Sequence, residues 1–167
     1  MKNITTLKDL LIEQLRELYN AEKQQFNALA TLKERATFRE LRLAIQNHIS
    51  ETHDHIKRLE NIFEKLEITS FGEQSDAMSG LIKEGFNLTS RGSDPEVMDA
   101  GIIAAIQHME HFEIAGYGTV CAFARELSLN DIADQLHQTL TEEKRIDKKL
   151  SEISDKINER AISPVIY

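Results

Sequence analysis

The sequence predicts an all-α fold built as a bundle of four long helices, and three observations carry that expectation. Leu, Ile, Ala, Glu and Lys dominate the chain, a composition that favours helices. Only two Pro and seven Gly interrupt the 167 residues, so long stretches run without a breaker. Apolar residues recur at steps of three or four through most of the length, the period of one helix face. A chain of this size can bury one sizeable core, and 1–167 reads as a single helical domain.

The first helix, about 5–35, carries the stripe Leu7, Leu11, Leu15, Leu18, Glu22, Phe26, Leu29 and Leu32, with Thr5 or Thr6 as its cap. The second, about 38–67, follows the capping-box pair Thr37 and Glu40 and presents Leu41, Ala44, His48, Glu51, His55, Leu59 and Ile62. The third, about 95–127, opens on Ser93-Asp94-Pro95, a cap followed by proline in the first turn. Its stripe is Ile102, Ile106, Met109, Glu113, Gly116, Val120, Phe123 and Leu127. The fourth, about 130–159, runs through Ile132, Leu136, Leu140, Glu143, Asp147, Leu150, Ile153 and Ile157, and the tail Ala161–Tyr167 reads as a loose end. The stretch from Ile68 to Ser93 is too long for a structureless loop. Met78, Leu81, Ile82, Phe86 and Leu88 predict a short extra helix over about 76–89. Two antiparallel hairpins joined by a long crossover form the ferritin-like arrangement, as distinct from a simple up-down bundle.

The formal charge of −8 argues against nucleic acid or an anionic membrane surface as a partner. No run approaches the ~18 apolar residues of a membrane span. The opening residues lack the pattern of a signal peptide, and a single cysteine, Cys121, fits a reducing compartment, so a cytoplasmic location is expected.

Each long helix places a glutamate within its apolar stripe: Glu22, Glu51, Glu113 and Glu143. Glu110 precedes Glu113 by one turn, and Asp147 follows Glu143 by one turn. Residues three or four apart share a helix face. Within each hairpin the two stripe glutamates lie about 15 residues from the connecting turn, roughly 21 Å along the axis. Equal depth brings all four to one layer. An unpaired ionised carboxylate in a core costs several kcal/mol, so such a layer asks for cations. The pattern fits a two-metal site held by Glu22, Glu51, Glu110, Glu113, Glu143 and Asp147. Asp54, His48 and His55 are further candidates, His48 chiefly as a donor that orients a carboxylate. A faint repeat supports a pseudo-two-fold site, since Glu22 and Phe26 align with Glu113 and Tyr117.

At these residues the chain resembles the YciF-like stress-protein family of the ferritin-like superfamily. The resemblance rests on Leu18 to Gln24, His48 to Thr52, Glu110 to Thr119, and Thr139-Leu140 with Glu142, Glu143, Lys144 and Asp147. The constellation is also similar to that of rubrerythrins, which implies a lone acid on the first helix and paired acids on the third. Where rubrerythrins carry histidine on the second and fourth helices, this chain has Asp54 and Asp147. That departure implies an all-oxygen site and leaves iron and manganese both open as its two divalent ions.

Two function classes follow. One is a metal-dependent oxidoreductase protecting against oxidative stress by peroxide reduction or ferrous oxidation, with Glu113 and Glu110 as its catalytic carboxylates. The other is a non-enzymatic helical protein, a homodimer or a partner of a stress enzyme such as catalase, in which the acids are vestigial.

Overall fold

A computed structural model describes residues 3–72 and 74–162. Among these residues the protein is all-helical, with α1 Leu7–Arg35, α2 Arg39–Lys65, α3 Asp76–Thr89, α4 Pro95–Glu126 and α5 Asn130–Ala161 and no strand. The pairs α1/α2 and α4/α5 form antiparallel hairpins, and the crossover between them carries α3, which packs on α4 and α1. The last helix extends through Ala161, and residues 163–167 of the expected loose tail lie outside the described residues.

Helix starts follow local chemistry in three of the five elements. Thr6 and Asp9 form a reciprocal capping box at α1, each accepting from the other's backbone N–H at 3.1 Å. Ser75 accepts from the Met78 N–H at α3, and Asp94 accepts from the Val97 N–H ahead of Pro95 at α4. At α2 the expected Thr37–Glu40 box does not form. The N-cap residue is Phe38, and the cap comes from another helix: Asp99 of α4 accepts from the backbone N–H groups of Thr37 at 2.8 Å and Phe38 at 2.7 Å, and from the Thr37 hydroxyl at 2.6 Å. A buried carboxylate from α4 thus holds the backbone at the entry to α2, and so ties the two hairpins together. Glu40 instead faces Lys149 and Lys156 of α5.

The core is two apolar blocks separated by a polar layer. One block packs Leu29, Leu32, Leu41, Ile45, Ile102, Ile106, Leu150 and Ile153. The other packs Leu11, Leu15, Leu18, Leu59, Ile62, Val120, Leu136 and Leu140. Helices α1 and α4 approach closely at Gly116, where a Cβ would stand 2.7 Å from Leu18 Cδ2.

Replacing Asp99 by Ala strands three polar groups at the start of α2. The expected loss is about 2 kcal/mol, which lowers the melting temperature by roughly 4–8 °C. Glu40→Ala, whose partners are exposed lysines, should shift the melt far less. Parallel thermal melts of the two variants check this, and equal shifts would remove the capping role of Asp99.

Candidate metal centre

The layer between the apolar blocks is lined by buried polar side chains from all four long helices. α1 contributes Glu22 and Gln25, α2 contributes His48 and His55, α4 contributes Glu110, Glu113 and Tyr117, and α5 contributes Glu143. Each set lies at spacings of three, four or seven residues, so each helix aims its members along one face.

Two groups of ligand atoms gather here, and they share Glu143. Glu22, His55 and Glu143 each offer an atom within 4.8 Å of the others, and so do His48, Glu110 and Glu143. His55 Nδ1 lies 2.8 Å from Glu143 Oε1 and 3.3 Å from Glu22 Oε1. Neither approach to His55 Nδ1 has the direction of a hydrogen bond; the three atoms crowd a common centre. His48 Nε2 lies 2.7 Å from Glu110 Oε1, and the Gln25 amide donates to that same oxygen at 2.8 Å. The Tyr117 hydroxyl donates to Glu22 Oε1 at 2.5 Å, with its ring edge-on to His55.

Six buried carboxylate oxygens have no hydrogen-bond partner among the described residues: Glu22 Oε2, Glu110 Oε2, and both oxygens of Glu113 and of Glu143. Buried acceptors are ordinarily satisfied, so a cluster of this kind is one that could hold a cation. The proton affinities agree. Burial, reinforced by Glu22, Glu143 and Glu110, drives Glu113 well above the ordinary carboxylate range. Burial likewise raises Glu22, raises Glu110 to about 7, and, with Glu110 nearby, raises Glu143 to about 8. For His55, burial pulls downward, but Glu22 and Glu143 outweigh it and push the ring up to about 11. Burial lowers His48 and favours its neutral ring. Burial, with Glu22 beside it, pushes the Tyr117 hydroxyl well up, so it stays a donor.

The donor set fits a pair of divalent ions. Four ionised glutamates carry four negative charges, which two divalent cations cancel, and the two neutral imidazoles add nitrogen donors.

The structure brings Glu22, Glu110, Glu113 and Glu143 into this layer and places His48 and His55 with them as atoms facing the cluster. It does not bring in Glu51, Asp147 or Asp54. Glu51 lies about 60° around α2 from His48; its side chain is 30% exposed and pairs with Arg145 of α5 at 2.5 Å. Thr52 takes the inward position instead. Asp147 points to the α4/α5 seam, where Gln107 donates to it at 3.0 Å and His111 stands at 3.5 Å. Asp54 lies about 120° from His48 around the helix, and its side chain is 67% exposed. The facing donors are therefore mixed oxygen and nitrogen, in place of the all-oxygen set that the sequence suggested.

Gln25, Arg58 and Glu142 belong to the surroundings of the site and were not singled out from the sequence. Gln25 had a signal: a polar residue one turn beyond Glu22 on the same face. Arg58 had none and Glu142 entered only through the family resemblance, because their roles depend on contacts across helices.

The comparisons with known proteins agree with this architecture. Protein YciF of Escherichia coli K12 is 37% identical over 163 residues, covering 95% of this chain and 97% of that protein. The crystal structure of the E. coli stress protein YciF superposes with a TM-score of 0.89 at 36% identity, covering 94% of this chain and 99% of that one. The YcfI protein of Rhodopseudomonas palustris superposes with a TM-score of 0.87 at 41% identity, over 90% of this chain and 96% of that one. A two-domain protein of Anabaena variabilis, with DJ-1/ThiJ/PfpI-like and ferritin-like domains, shares the fold at a TM-score of 0.67 and 17% identity, over 96% of this chain and 40% of that one. The family described as "Domain of unknown function (DUF892)" matches residues 6–163, and the chain belongs to that family.

Proposed function

We propose that the buried layer holds two divalent cations, iron or manganese, and that the protein uses them in the cytoplasm for a protective redox reaction, peroxide reduction or ferrous oxidation. The single observation that carries this reading is the set of six buried carboxylate oxygens that make no hydrogen bond among the described residues and face two histidines. Bound at this layer, a pair of redox-active ions would supply electrons for cleavage of an O–O bond. The residues supply position and exclusion of water. Glu22, His55 and Glu143 would hold one ion and His48, Glu110 and Glu143 the other, with Glu143 common to both groups. Gln25 donates to Glu110, whereas neither oxygen of Glu113 makes a hydrogen bond among the described residues, so Glu113 would be freer than Glu110 to change its mode of contact. Tyr117 fixes one oxygen of Glu22.

A second reading, a homodimer or a partner of a stress enzyme, is favoured by Leu43. It is 54% exposed at the lip of a groove of about 340 Å3 between α2 and α5, lined also by Ala44, Ile146, Glu51 and Arg145. Sedimentation analysis is expected to show a dimer that Leu43→Lys weakens; a monomer at all concentrations would count against this surface.

Anaerobic loading with ferrous or manganous ion should approach two equivalents per chain by elemental analysis, and Glu143→Ala should lose both. Values near zero for the native protein would defeat the metal reading. The pH dependence has a fixed sign. Glu110 and Glu143 are raised in the folded protein, so the stability they contribute is present below their unfolded pKa and is lost as pH rises through about 7 to 8. His48 runs the other way, one group against the glutamates. Metal-free protein should therefore melt lower at pH 8 than at pH 5.5. Metal uptake should release protons and tighten over the same interval. A metal-free melting temperature that rises across it would contradict this electrostatic account.

The redox step is tested by stopped-flow absorbance. Ferrous protein should react with hydrogen peroxide much faster than free ferrous ion, and Glu113→Ala should slow the reaction more than Glu110→Ala. A native rate equal to that of iron in buffer would leave binding without catalysis.

A further inference from the structure

The two candidate positions are unlike in what stands behind their histidines. His55 Nε2 lies 3.0 Å from Glu142 Oε2, so the ring is held from the side away from Glu22 and Glu143. Glu142 is itself held at both oxygens. Arg58 Nη1 donates to Oε2 at 2.9 Å, and Gln138 donates to Oε1 at 2.9 Å. Arg58 also donates to the Thr139 hydroxyl, which anchors the guanidinium on α5. Arg58 stands one turn beyond His55 on α2, and Thr139 one turn before Glu142 on α5, so the arrangement is a cross-tie between two helices at the level of the site. His48 has no such support: its Nδ1 has no hydrogen-bond partner among the described residues.

A neutral imidazole that donates its Nε2–H to a carboxylate presents Nδ1 as its lone pair, the form a metal ligand takes. The acceptor also fixes the ring plane and raises the basicity of the free nitrogen. We propose that Glu142, clamped by Arg58, is a positioning residue that aims Nδ1 of His55 at the Glu22–Glu143 pair and makes that position the tighter of the two. The inference rests on the metal reading above, and extends it to the order in which the positions fill.

Cobalt(II) titration of the full chain, followed by its visible absorption, reads the two binding steps separately. Nitrogen-15 correlation spectra of metal-free and zinc-loaded protein read the protonation of the His55 ring. The native protein should bind in two unequal steps, with a hydrogen-bonded His55 Nε2–H present before and after loading. Glu142→Ala should weaken the tighter step by about 10–100-fold, leave the weaker step nearly unchanged, and abolish the bonded Nε2–H signal. Glu142→Gln keeps a carbonyl acceptor, so it should recover most of the affinity and the signal, and it serves if the alanine variant does not fold. Equal weakening of both steps, no weakening, or failure of the glutamine variant to rescue would overturn the positioning role while leaving the metal site intact. A native protein that takes up no cobalt or zinc would overturn both, whereas a missing Nε2–H signal in metal-free native protein would overturn the positioning role alone.

Discussion

Four glutamates fully buried at one level of a helical bundle set the terms for everything around them. Burying an ionised carboxylate costs several kcal/mol even after relaxation, and neighbouring carboxylates add repulsion. The protein meets this in two ways. It favours protons on the glutamates and a charged His55, which lower the charge of the layer, and it flanks the layer with apolar blocks. The two blocks lie on either side of the layer, so the polar centre is gripped from both ends of the bundle.

That grip depends on how the hairpins meet. Every one of the four long helices supplies at least one member of the layer, so a shift of one helix by a single turn would separate the donors by about 5.4 Å. Three features oppose such a shift. Asp99 reaches from α4 to cap α2, Gly116 lets α4 sit against Leu18 of α1, and Arg58 and Glu142 tie α2 to α5. The crossover helix α3 adds a further restraint, since a Cβ on its Gly85 would stand 2.7 Å from the Cβ of Ala105 on α4.

The layer is not symmetric, despite the faint repeat between the hairpins. Glu22 accepts from Tyr117 and Glu110 from Gln25, while neither oxygen of Glu113 makes a hydrogen bond among the described residues. His55 has a carboxylate behind it and His48 has none. The difference arises partly within the layer, from Gln25 and Tyr117, and partly behind it, from Glu142.

The helices were legible in the sequence because their cause is local. A period of three to four, few breakers and capping residues at Thr6 and Asp94 act within one turn of chain, so the all-helical class and its five helices were legible. Acids within apolar stripes were legible for the same reason, and Glu22, Glu110, Glu113 and Glu143 occupy one layer. What remained for the tertiary structure was the choice among residues that share roughly one side of a helix. On α2, His48, Glu51, Thr52 and His55 all lie within about 100° of arc, and only the rotation of α2 against its neighbours turns the histidines and Thr52 inward and leaves Glu51 to Arg145. On α5, Ile146 fills the space toward α2, and Asp147 turns to Gln107 on α4. Contacts such as Glu142 to His55 join residues 87 apart in the chain, and no periodicity encodes them. A sequence carries the spacing along each helix; the angle at which each helix faces its neighbours is set by the packing of all of them at once.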